Sequence, residues 1–434
     1  MGDANVKIGE DLYKWATELF PINRSITGEG VRETLKYIKN LIPDLKINSI
    51  SSGDKVFDWI IPDEWNVKDA YIESPEGTKI ADFKKNNLHL MGYSIPVNRV
   101  MSLTELQSHL YSINEVPDAI PYVTSYYNRN WGFCISHNDR KKLPDGNYKV
   151  FIDSTLTKGK LNYGEIIIPG KSRKEVLIST YICHPSMANN EVSGIVVTTK
   201  LAKWLNEQNN TQYTYRIVFV PETIGSIAYI HRNCSIMKRN VIGGFVVTCV
   251  GDNNNYSILN SKYENTLFDK IGNNVIKYYT KNNFNRYSFL DRGSDERQYS
   301  SVGVDIPIIS LMRTKYGEYN EYHTSLDNLN FISPQGLYGG FEIHKKAIIL
   351  LENNFIYKVV LPCEPQLGKK GLYPLVSTRE TQKQVETMMN FIAYADGKTD
   401  LVTIANRINV DALECIEIIN SLLIEKVIIR IEQG

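Results

Sequence analysis

Residues 176–194 read V-L-I-S-T-Y-I-C-H-P-S-M-A-N-N-E-V-S-G. The apolar start is rich in β-branched residues, which predicts a buried strand. His184 follows this strand, and Asn190 and Glu191 come just before a helical pattern that begins at Ser193. Chemistry in an open α/β sheet lies beyond the carboxyl ends of strands. Since imidazole and carboxylate both suit zinc, His184 and Glu191 could share one metal ion; a loop histidine that caps the next helix is the alternative.

Two later strand patterns end in residues of the same kind. Residues 215–220, Y-R-I-V-F-V, run into Glu222, which could act as a general base or simply cap the following helix. The apolar residues 306–312 lead to His323 and Asp327. A metal-bound imidazole usually donates its second N–H to a carboxylate or a carbonyl, and Asp327 is a candidate acceptor. Alone, His323 would be interpreted as a surface histidine, but three strand ends now offer a ligand set.

Long stretches of the chain carry a resemblance to a known family. They are F-P-I-N-R-S-I-T-G-E-G-V-R-E-T-L (20–35), D-W-I-I-P-D-E-W-N-V-K-D-A-Y-I (58–72), C-H-P-S-M-A-N-N-E-V-S-G (183–194), P-E-T-I-G-S (221–226) and R-G-S-D-E-R-Q-Y (292–299). The order of motifs resembles that of the co-catalytic zinc aminopeptidases. It is more closely similar to a bacterial group of aminopeptidase-like proteins with an inserted lid and a C-terminal winged helix, often found in polysaccharide-biosynthesis clusters. The resemblance covers nearly the whole chain.

The resemblance implies an α/β fold with a zinc-exopeptidase-like mixed or parallel sheet flanked by helices. It also implies a β-rich inserted lid domain and a C-terminal winged-helix domain. We expect the catalytic core to comprise residues 1–54 and 166–360, the lid residues 55–165, and the winged helix residues 364–434. The alternation of strand and helix patterns after residue 166 agrees with a largely parallel sheet.

The chain departs from the two-zinc enzymes at three ligand positions. Asn190 stands where those enzymes have an aspartate that bridges both metals, and Thr223 stands where a glutamate binds the second metal. Thr248 corresponds to a further aspartate ligand. Because neutral side chains cannot balance a second divalent cation, we expect one zinc ion.

By the same resemblance, His184 and His323 hold this zinc ion, with Glu191 as third ligand and Asn190 as the fallback. Water would take the fourth position, which catalytic zinc sites keep open. Glu222 aligns with the general base, which takes a proton as hydroxide attacks an amide carbonyl and then delivers it to the departing amine.

Other charged residues fall near these motifs. Asp295 resembles a catalytic-site acid in a hydrogen-bond network beside the metal. Arg292 and Arg297, and also Arg313, surround the last strand and its loops, and one of them could bind a substrate carboxylate bidentately. An exposed, solvated arginine is the alternative for each.

Two segments carry weaker signals. Arg24 lies in the loop before the helical pattern of residues 31–42, and the family stretch suggests that it approaches the active site. A capping role explains its loop equally well. Tyr126 and Tyr127 belong to the predicted lid, where they could line a substrate groove or form a small β-domain core.

The C-terminal pattern of helix, short helix, helix and strand is typical of a winged helix. Its third helix carries Asp411, Glu414 and Glu417 in the first half, which phosphates would repel. The net charge of +1, from 49 basic and 48 acidic residues, also argues against a nucleic-acid partner. We therefore expect this domain to have a structural or protein-contact role.

Composition sets the remaining expectations. The 434 residues suffice for two or three domains, and a hydrophobic content of 42% supports a sizeable core. No apolar run reaches transmembrane length, and no signal peptide shows, so we expect a cytoplasmic protein without a membrane partner. The six cysteines are dispersed and are interpreted as reduced core residues. Strand alternation should point Cys183 away from His184.

Three hypotheses for function follow. The first is a zinc-dependent hydrolase of aminopeptidase type that cleaves a peptide or small amide with Glu222 as general base. The second is a related metal hydrolase acting on an N-acyl or amide bond of a sugar or cell-wall precursor. The third is a catalytically degenerate metal-binding or regulatory protein that uses its winged helix for protein contacts. A homo-oligomer is compatible with each.

Overall fold

The helices of the protein alternate with strands along most of the chain. The computed structural model describes residues 3–373 and 379–431. The helices in this part are α1 (Asp3–Leu19), α2 (Glu29–Leu41), α3 (Leu103–Leu106), α4 (His137–Lys141), α5 (Ser193–Glu207), α6 (Ile224–Asn240), α7 (Leu267–Tyr279), α8 (Glu296–Tyr299), α9 (Pro334–Glu352), α10 (Arg379–Tyr394), α11 (Leu401–Arg407) and α12 (Glu414–Ile424).

The strands form one large sheet and several small ones. They are β1 (Lys46–Ser51), β2 (Lys55–Val56), β3 (Trp59–Ile60), β4 (Glu64–Glu73), β5 (Lys79–Asp82), β6 (Val97–Ser102), β7 (Leu110–Tyr111), β8 (Phe133–Cys134), β9 (Asn147–Thr157), β10 (Lys160–Ile168), β11 (Glu175–Tyr181), β12 (Thr214–Val220), β13 (Val241–Val246), β14 (Ser257–Leu259), β15 (Asn285–Tyr287), β16 (Ile308–Met312), β17 (Ile356–Val359), β18 (Asp396–Asp400) and β19 (Ile428–Ile431).

The large sheet has eight strands in the order β1-β10-β12-β11-β13-β16-β14-β15. Its centre is parallel, since β11 pairs in parallel with both β12 and β13, and β13 pairs in parallel with β16. The pairs β1–β10, β10–β12 and β14–β16 are antiparallel. The fold is therefore α/β with a mixed sheet, as predicted. β10 spans the expected lid boundary at residue 165 and lies in this sheet.

The strand order places a crevice at the carboxyl end of β11. The chain passes from β11 through α5 to β12 on one side, and from β12 through α6 to β13 on the other. Such a reversal of direction opens a space beyond the strand ends, where open α/β sheets bind ligands. The residues that follow β11, β12, β13 and β16 meet there.

The two faces of the sheet pack into separate cores because strand side chains alternate between faces. Ile178 and Phe219 pack on one face with α1, α2, α5 and α9. Leu177 and Val218 pack on the other face with α6 and with lid residues such as Trp65. The lid is thus part of the second core, which fixes it over the sheet.

The lid is built on a four-stranded antiparallel sheet in the order β5-β4-β9-β6. A lid segment reaches the crevice and pairs with the loop after β16. Ile120 N–H donates to Ser325 Oγ at 3.0 Å, and Tyr122 N–H donates to the carbonyl of His323 at 2.8 Å. The lid therefore holds the backbone around His323.

The C-terminal unit is a winged helix with a three-stranded sheet in the order β18-β17-β19. Asp400 caps α11 by accepting from Thr403 N–H at 2.9 Å. Asn274 of α7 ties this unit to the core, because its side chain accepts from Ala412 N–H at 3.0 Å and donates to the carbonyl of Val410 at 3.1 Å. Residues 374–378 and 432–434 of the expected domain lie outside the described residues.

None of the helices within residues 3–373 and 379–431 combines the length and the apolar character needed to cross a lipid bilayer.

Candidate active site

Strained backbone surrounds the crevice at four strand ends. Ser186 follows β11 with φ 43°, Thr223 follows β12 with φ 63°, Cys249 follows β13 with φ 52°, and His323 follows β16 with φ 55°. Residues with a Cβ rarely adopt positive φ, and each such conformation costs on the order of 1 kcal/mol or more. Strain of this kind clusters at functional sites, where the surrounding structure holds it in place.

His184 is oriented by a buried carboxylate. Its Nδ1 donates to Glu191 Oε2 at 2.9 Å, and the same oxygen accepts the backbone N–H groups of Cys183, at 2.7 Å, and of His184 itself. This bond places a proton on Nδ1 and leaves the lone pair of Nε2 for the cavity. Burial opposes protonation of His184, but the bond with Glu191 raises its pKa overall. A proton and a metal ion would therefore compete for Nε2.

Arg24 completes this cluster from the loop before α2. Its Nε lies 2.6 Å from Glu191 Oε1, and neither side chain is exposed. Arg24 also donates from Nε to the carbonyl of His184 at 3.0 Å and from Nη1 to that of Leu19 at 2.7 Å. Both oxygens of Glu191, the predicted third ligand, are thus engaged behind His184. The suggested approach of Arg24 to the site agrees with this contact.

Cys183 lies on the same side as His184, contrary to the expectation from strand alternation. Its Sγ is 3.6 Å from His184 Nδ1 and accepts the Glu222 N–H at 3.2 Å. β11 ends at Tyr181, so the alternation of a strand no longer applies at Cys183. Ligand atoms of Cys183, His184 and Glu191 lie within 4.8 Å of one another. Burial raises the pKa of the Cys183 thiol well above its usual value, which disfavours a thiolate ligand.

His323 lies close to His184 across the crevice. The ring centroids are 5.4 Å apart. Two imidazoles that bind one tetrahedral zinc through nitrogens at about 2.1 Å have centroids roughly 5 Å apart, so the observed separation suits a shared ion. Burial and the neighbouring His184 lower the pKa of His323 to about 3, which keeps its ring neutral and able to act as a ligand.

Glu222 lines a cavity of about 590 Å³ together with His184 and His323. Its Oε2 lies 3.7 Å from His184 Nε2, and its Oε1 accepts the Ser294 hydroxyl at 2.9 Å. Burial raises the pKa of Glu222, which suits a group that must accept and release a proton. The cavity walls are largely aromatic: Trp59, Tyr122, Tyr126, Tyr127 and Tyr322.

Asp295 lies behind this cavity and does not line it. Its Oδ1 accepts the Thr223 N–H at 2.8 Å and the Ser226 hydroxyl at 2.7 Å. Burial and the charge of Glu222 raise the pKa of Asp295 to about 8. Its contacts hold the strained turn directly after Glu222, so Asp295 can position the base without touching a substrate.

The three positions that lack carboxylates are occupied by hydrogen-bonded neutral groups. Thr248 Oγ1 donates to the carbonyl of Asn190 at 2.7 Å, and Thr223 Oγ1 accepts from Arg297 at 2.8 Å. Asn190 donates from Nδ2 to Tyr181 at 2.9 Å, while its buried Oδ1 has no partner among the described residues. The donor set fits one zinc ion held by two imidazoles with an oxygen ligand, and it does not fit two.

The three arginines considered for substrate binding lie in different environments. Arg297 lines the cavity. Arg292 is not part of the described cavity lining; it stacks on Phe289 and donates to its carbonyl at 3.1 Å. Arg313 is buried, donates to the carbonyl of Asp252 at 2.8 Å and lies over the Tyr256 ring, which is a structural role.

Asp327 is not the partner of His323. Its Oδ1 accepts the Asn189 N–H at 2.6 Å and its Oδ2 accepts the Asn190 N–H at 3.0 Å. These bonds cap the single π-helical turn Ala188–Val192 before α5. Asp327 therefore shapes the loop that carries Asn190.

Sequence reasoning missed several cavity residues. Trp59, Tyr122 and Tyr322 line the cavity, and Ser294 binds the base. Tyr322 directly precedes His323, and Ser294 lies within the family stretch 292–299, so both carried a usable signal. Tyr122 belongs to the lid, and no local sequence pattern predicts that it lines the cavity.

The fold agrees with comparisons to known proteins. Residues 13–354 match a family described as Domain of unknown function (DUF4910), and residues 355–430 match a winged helix-turn-helix family. The chain belongs to the DUF4910 family. A relative in Clostridium acetobutylicum, named "Putative polysaccharide biosynthesis protein with aminopeptidase-like domain", is 44% identical over 404 residues, covering 92% of this chain and 91% of the relative.

Solved structures give the same assignment of fold for this DUF4910 protein. A crystal structure described as a "putative peptidase" from Clostridium acetobutylicum superposes with a TM-score of 0.92 at 40% identity, covering 98% of this chain and 97% of the other. BSAP, a zinc aminopeptidase from Bacillus subtilis, gives a TM-score of 0.56 at 12% identity, with 78% and 94% covered. The predicted aminopeptidase-like α/β core and winged helix are confirmed.

Proposed function

We propose that this DUF4910 protein is a hydrolase of aminopeptidase-like type that cleaves an amide bond with one zinc ion. His184 and His323 would hold the metal through free ring nitrogens, Asn190 Oδ1 would supply an oxygen, and Glu191 would orient His184. A zinc ion bound there would supply Lewis-acid polarisation of a carbonyl group and of a water molecule.

The observation that carries this proposal is the convergence of three side chains in one cavity. His184 Nε2 lies 3.7 Å from Glu222 Oε2, and the two imidazoles are 5.4 Å apart. The hydrogen bond that His184 Nδ1 donates to Glu191 fixes the tautomer of His184, as in the carboxylate–histidine–zinc arrangement of metalloenzymes. Titratable groups with shifted pKa values cluster at functional sites, and here a carboxylate of raised pKa lies beside two imidazoles.

Glu222 moves the proton in this proposal. It accepts a proton from water as the oxygen adds to the amide carbonyl, and it passes that proton to the nitrogen as the C–N bond breaks. The electron pair of that bond leaves with the nitrogen, and the products are an acid and an amine. Ser294 holds one oxygen of Glu222, which keeps the other directed at the cavity.

The test combines elemental analysis with an amide screen. Protein purified without chelators should carry about one zinc per chain, and His184→Ala should lose it. Glu222→Gln should lower turnover on the order of 10²- to 10⁴-fold, the usual contribution of a general base. Glu342→Gln is the matched control, because Glu342 on α9 has a side-chain exposure of 17% against 21% for Glu222 and lies outside the cavity lining.

Turnover that survives Glu222→Gln would remove Glu222 as the base. Zinc binding without turnover on any amide would favour the alternative of a degenerate, regulatory protein that uses its winged helix for protein contacts. The cytoplasmic location and a peptide or small amide as substrate remain part of the proposal.

A further inference from the structure

The cavity carries an unusual balance of charge for a site that binds a free amine. Among the described lining residues, Glu222 is the one carboxylate and Arg297 is the one guanidinium. Glu222 is needed as the base. The cavity therefore has no second acid of its own for a substrate cation.

The nearby acids are buried, and none of them is among the residues that line the cavity. Glu191 is closed off by its ion pair with Arg24, and its side chain has no exposure. Asp295 is 1% exposed and bonds to the turn at Thr223. Glu296 is fully buried and accepts the N–H groups of residues 293 and 294 at 2.8 and 2.9 Å. A substrate α-ammonium group taken out of water here would lack the partner that a buried charge requires.

Arg297 is placed to receive the opposite charge. Its Nη2 donates a hydrogen bond of 2.8 Å to the hydroxyl of Thr223, the residue next to Glu222. Arg24, Arg32 and Arg216 each form an ion pair with a glutamate. In contrast, no carboxylate of the described residues lies within 4.0 Å of the Arg297 guanidinium. A guanidinium presents five donors in a fixed fork that matches a carboxylate, and only one of its N–H groups is engaged by Thr223.

We propose, building on the hydrolase function above, that the substrate is an amide with an uncharged acyl side and a carboxylate close to the scissile bond, as in an N-acyl amino acid. Arg297 binds the carboxylate and sets this specificity. Water adds to the acyl carbon, the C–N bond breaks, and the products are the free acid and the amino acid. The aromatic walls at Trp59 and Tyr127, whose rings are 6.2 Å apart, favour a substrate with a flat or apolar group.

Three probes of different charge test this proposal: the anionic N-acetyl-L-phenylalanine, the neutral N-acetyl-L-phenylalaninamide and the cationic L-phenylalaninamide, which lacks the acetyl group. Proton NMR on the zinc-loaded chain reports binding through ligand line broadening and hydrolysis through new acetate or phenylalanine signals. The anionic probe should bind roughly tenfold or more tighter than the neutral one, as expected for a charged hydrogen-bonded pair, and the cationic probe should bind weakest.

Arg297→Gln should reduce the affinity for the anionic probe to that for the neutral probe, with little change for the neutral probe itself. Arg292→Gln, which removes an equal charge outside the cavity lining, should change neither. Tightest binding of L-phenylalaninamide, equal binding of all three probes, or a preference that survives Arg297→Gln would each overturn the specificity.

The proposed hydrolase and this specificity fail in different ways. Glu222-dependent hydrolysis of L-phenylalaninamide in preference to the acetylated probes would keep the hydrolase and overturn the substrate class. A carboxylate preference that depends on Arg297, with no hydrolysis of any probe, would support the binding specificity and count against the hydrolase.

Discussion

Replacing Arg24 by methionine should both destabilise the fold and weaken metal binding at His184, whose ring Arg24 reaches only through Glu191. Arg24 and Glu191 are both fully buried, and their ion pair is 2.6 Å long. Arg24→Met leaves the carboxylate of Glu191 without its counter-charge, and such breaks cost about 3–5 kcal/mol. Because Glu191 keeps two backbone N–H donors and the Nδ1–H of His184, we expect about 3 kcal/mol, the lower end of that range.

Metal binding should weaken because Glu191 fixes the ring of His184. Partners that orient a metal-binding histidine are typically worth about 10- to 100-fold in metal affinity, so Arg24→Met should raise the zinc Kd by roughly that factor. Unfolding should be followed by urea titration with a chelator present, since bound metal adds to apparent stability. Zinc affinity should be measured by competition with a chromophoric chelator.

Arg216→Met is the matched control. Arg216 Nε lies 2.5 Å from Glu175, and both side chains are 6% exposed. Glu175 begins β11, whereas His184 lies beyond its end. The control should lose stability similarly and keep its zinc affinity; Arg24→Lys, which retains the charge, serves if Arg24→Met does not fold. Equal zinc affinity in wild type and Arg24→Met, or a stability loss below about 1 kcal/mol, would refute the coupling.

Two further changes follow from buried polar atoms. Asn190→Asp puts a charge at an oxygen that has no partner among the described residues, so it should lower stability in the presence of chelator. It should also raise zinc affinity by roughly tenfold, about 1.4 kcal/mol, in the same competition assay. Unchanged affinity would exclude residue 190 as a ligand. Burial lowers the pKa of His344 to about 4, so its unfolded form binds a proton first as pH falls below about 6.5. Stability should therefore fall by about 2 kcal/mol between pH 7 and pH 4.5, and His344→Leu should remove that part of the loss in urea titrations at both pH values.

Much of the fold could be predicted because the central strands are buried on both faces. β11, β12 and β16 are buried along nearly their whole length, and His184, Glu222 and His323 follow them in the predicted order. The antiparallel edge was harder to predict. β10 is buried at most positions, but it follows directly on a lid strand, so its place in the chain suggested the lid.

The contacts of Glu191, the predicted third ligand, could not be predicted because its partner comes from far along the chain. Glu191 faces Arg24, which is 167 residues away, and the ion pair between them engages one carboxylate oxygen of the predicted ligand. Asp327 is four residues from His323, yet its partners are backbone groups at Asn189 and Asn190. Spacing in sequence gives proximity, but only tertiary packing decides which polar atoms meet.

The Thr223–Arg297 contact supports the proposal of one metal ion rather than two. A metal bound to Thr223 Oγ1 at about 2 Å would lie at most about 5 Å from the guanidinium nitrogen that donates to the same oxygen at 2.8 Å. At an effective dielectric constant near 20, a divalent cation and a guanidinium that close repel by about 7 kcal/mol. A glutamate at this position would offset that repulsion, and threonine cannot. With threonine in place of glutamate, the guanidinium of Arg297 takes the place of a second metal ion as the positive charge at this position. In our proposal this guanidinium binds the carboxylate of an anionic substrate.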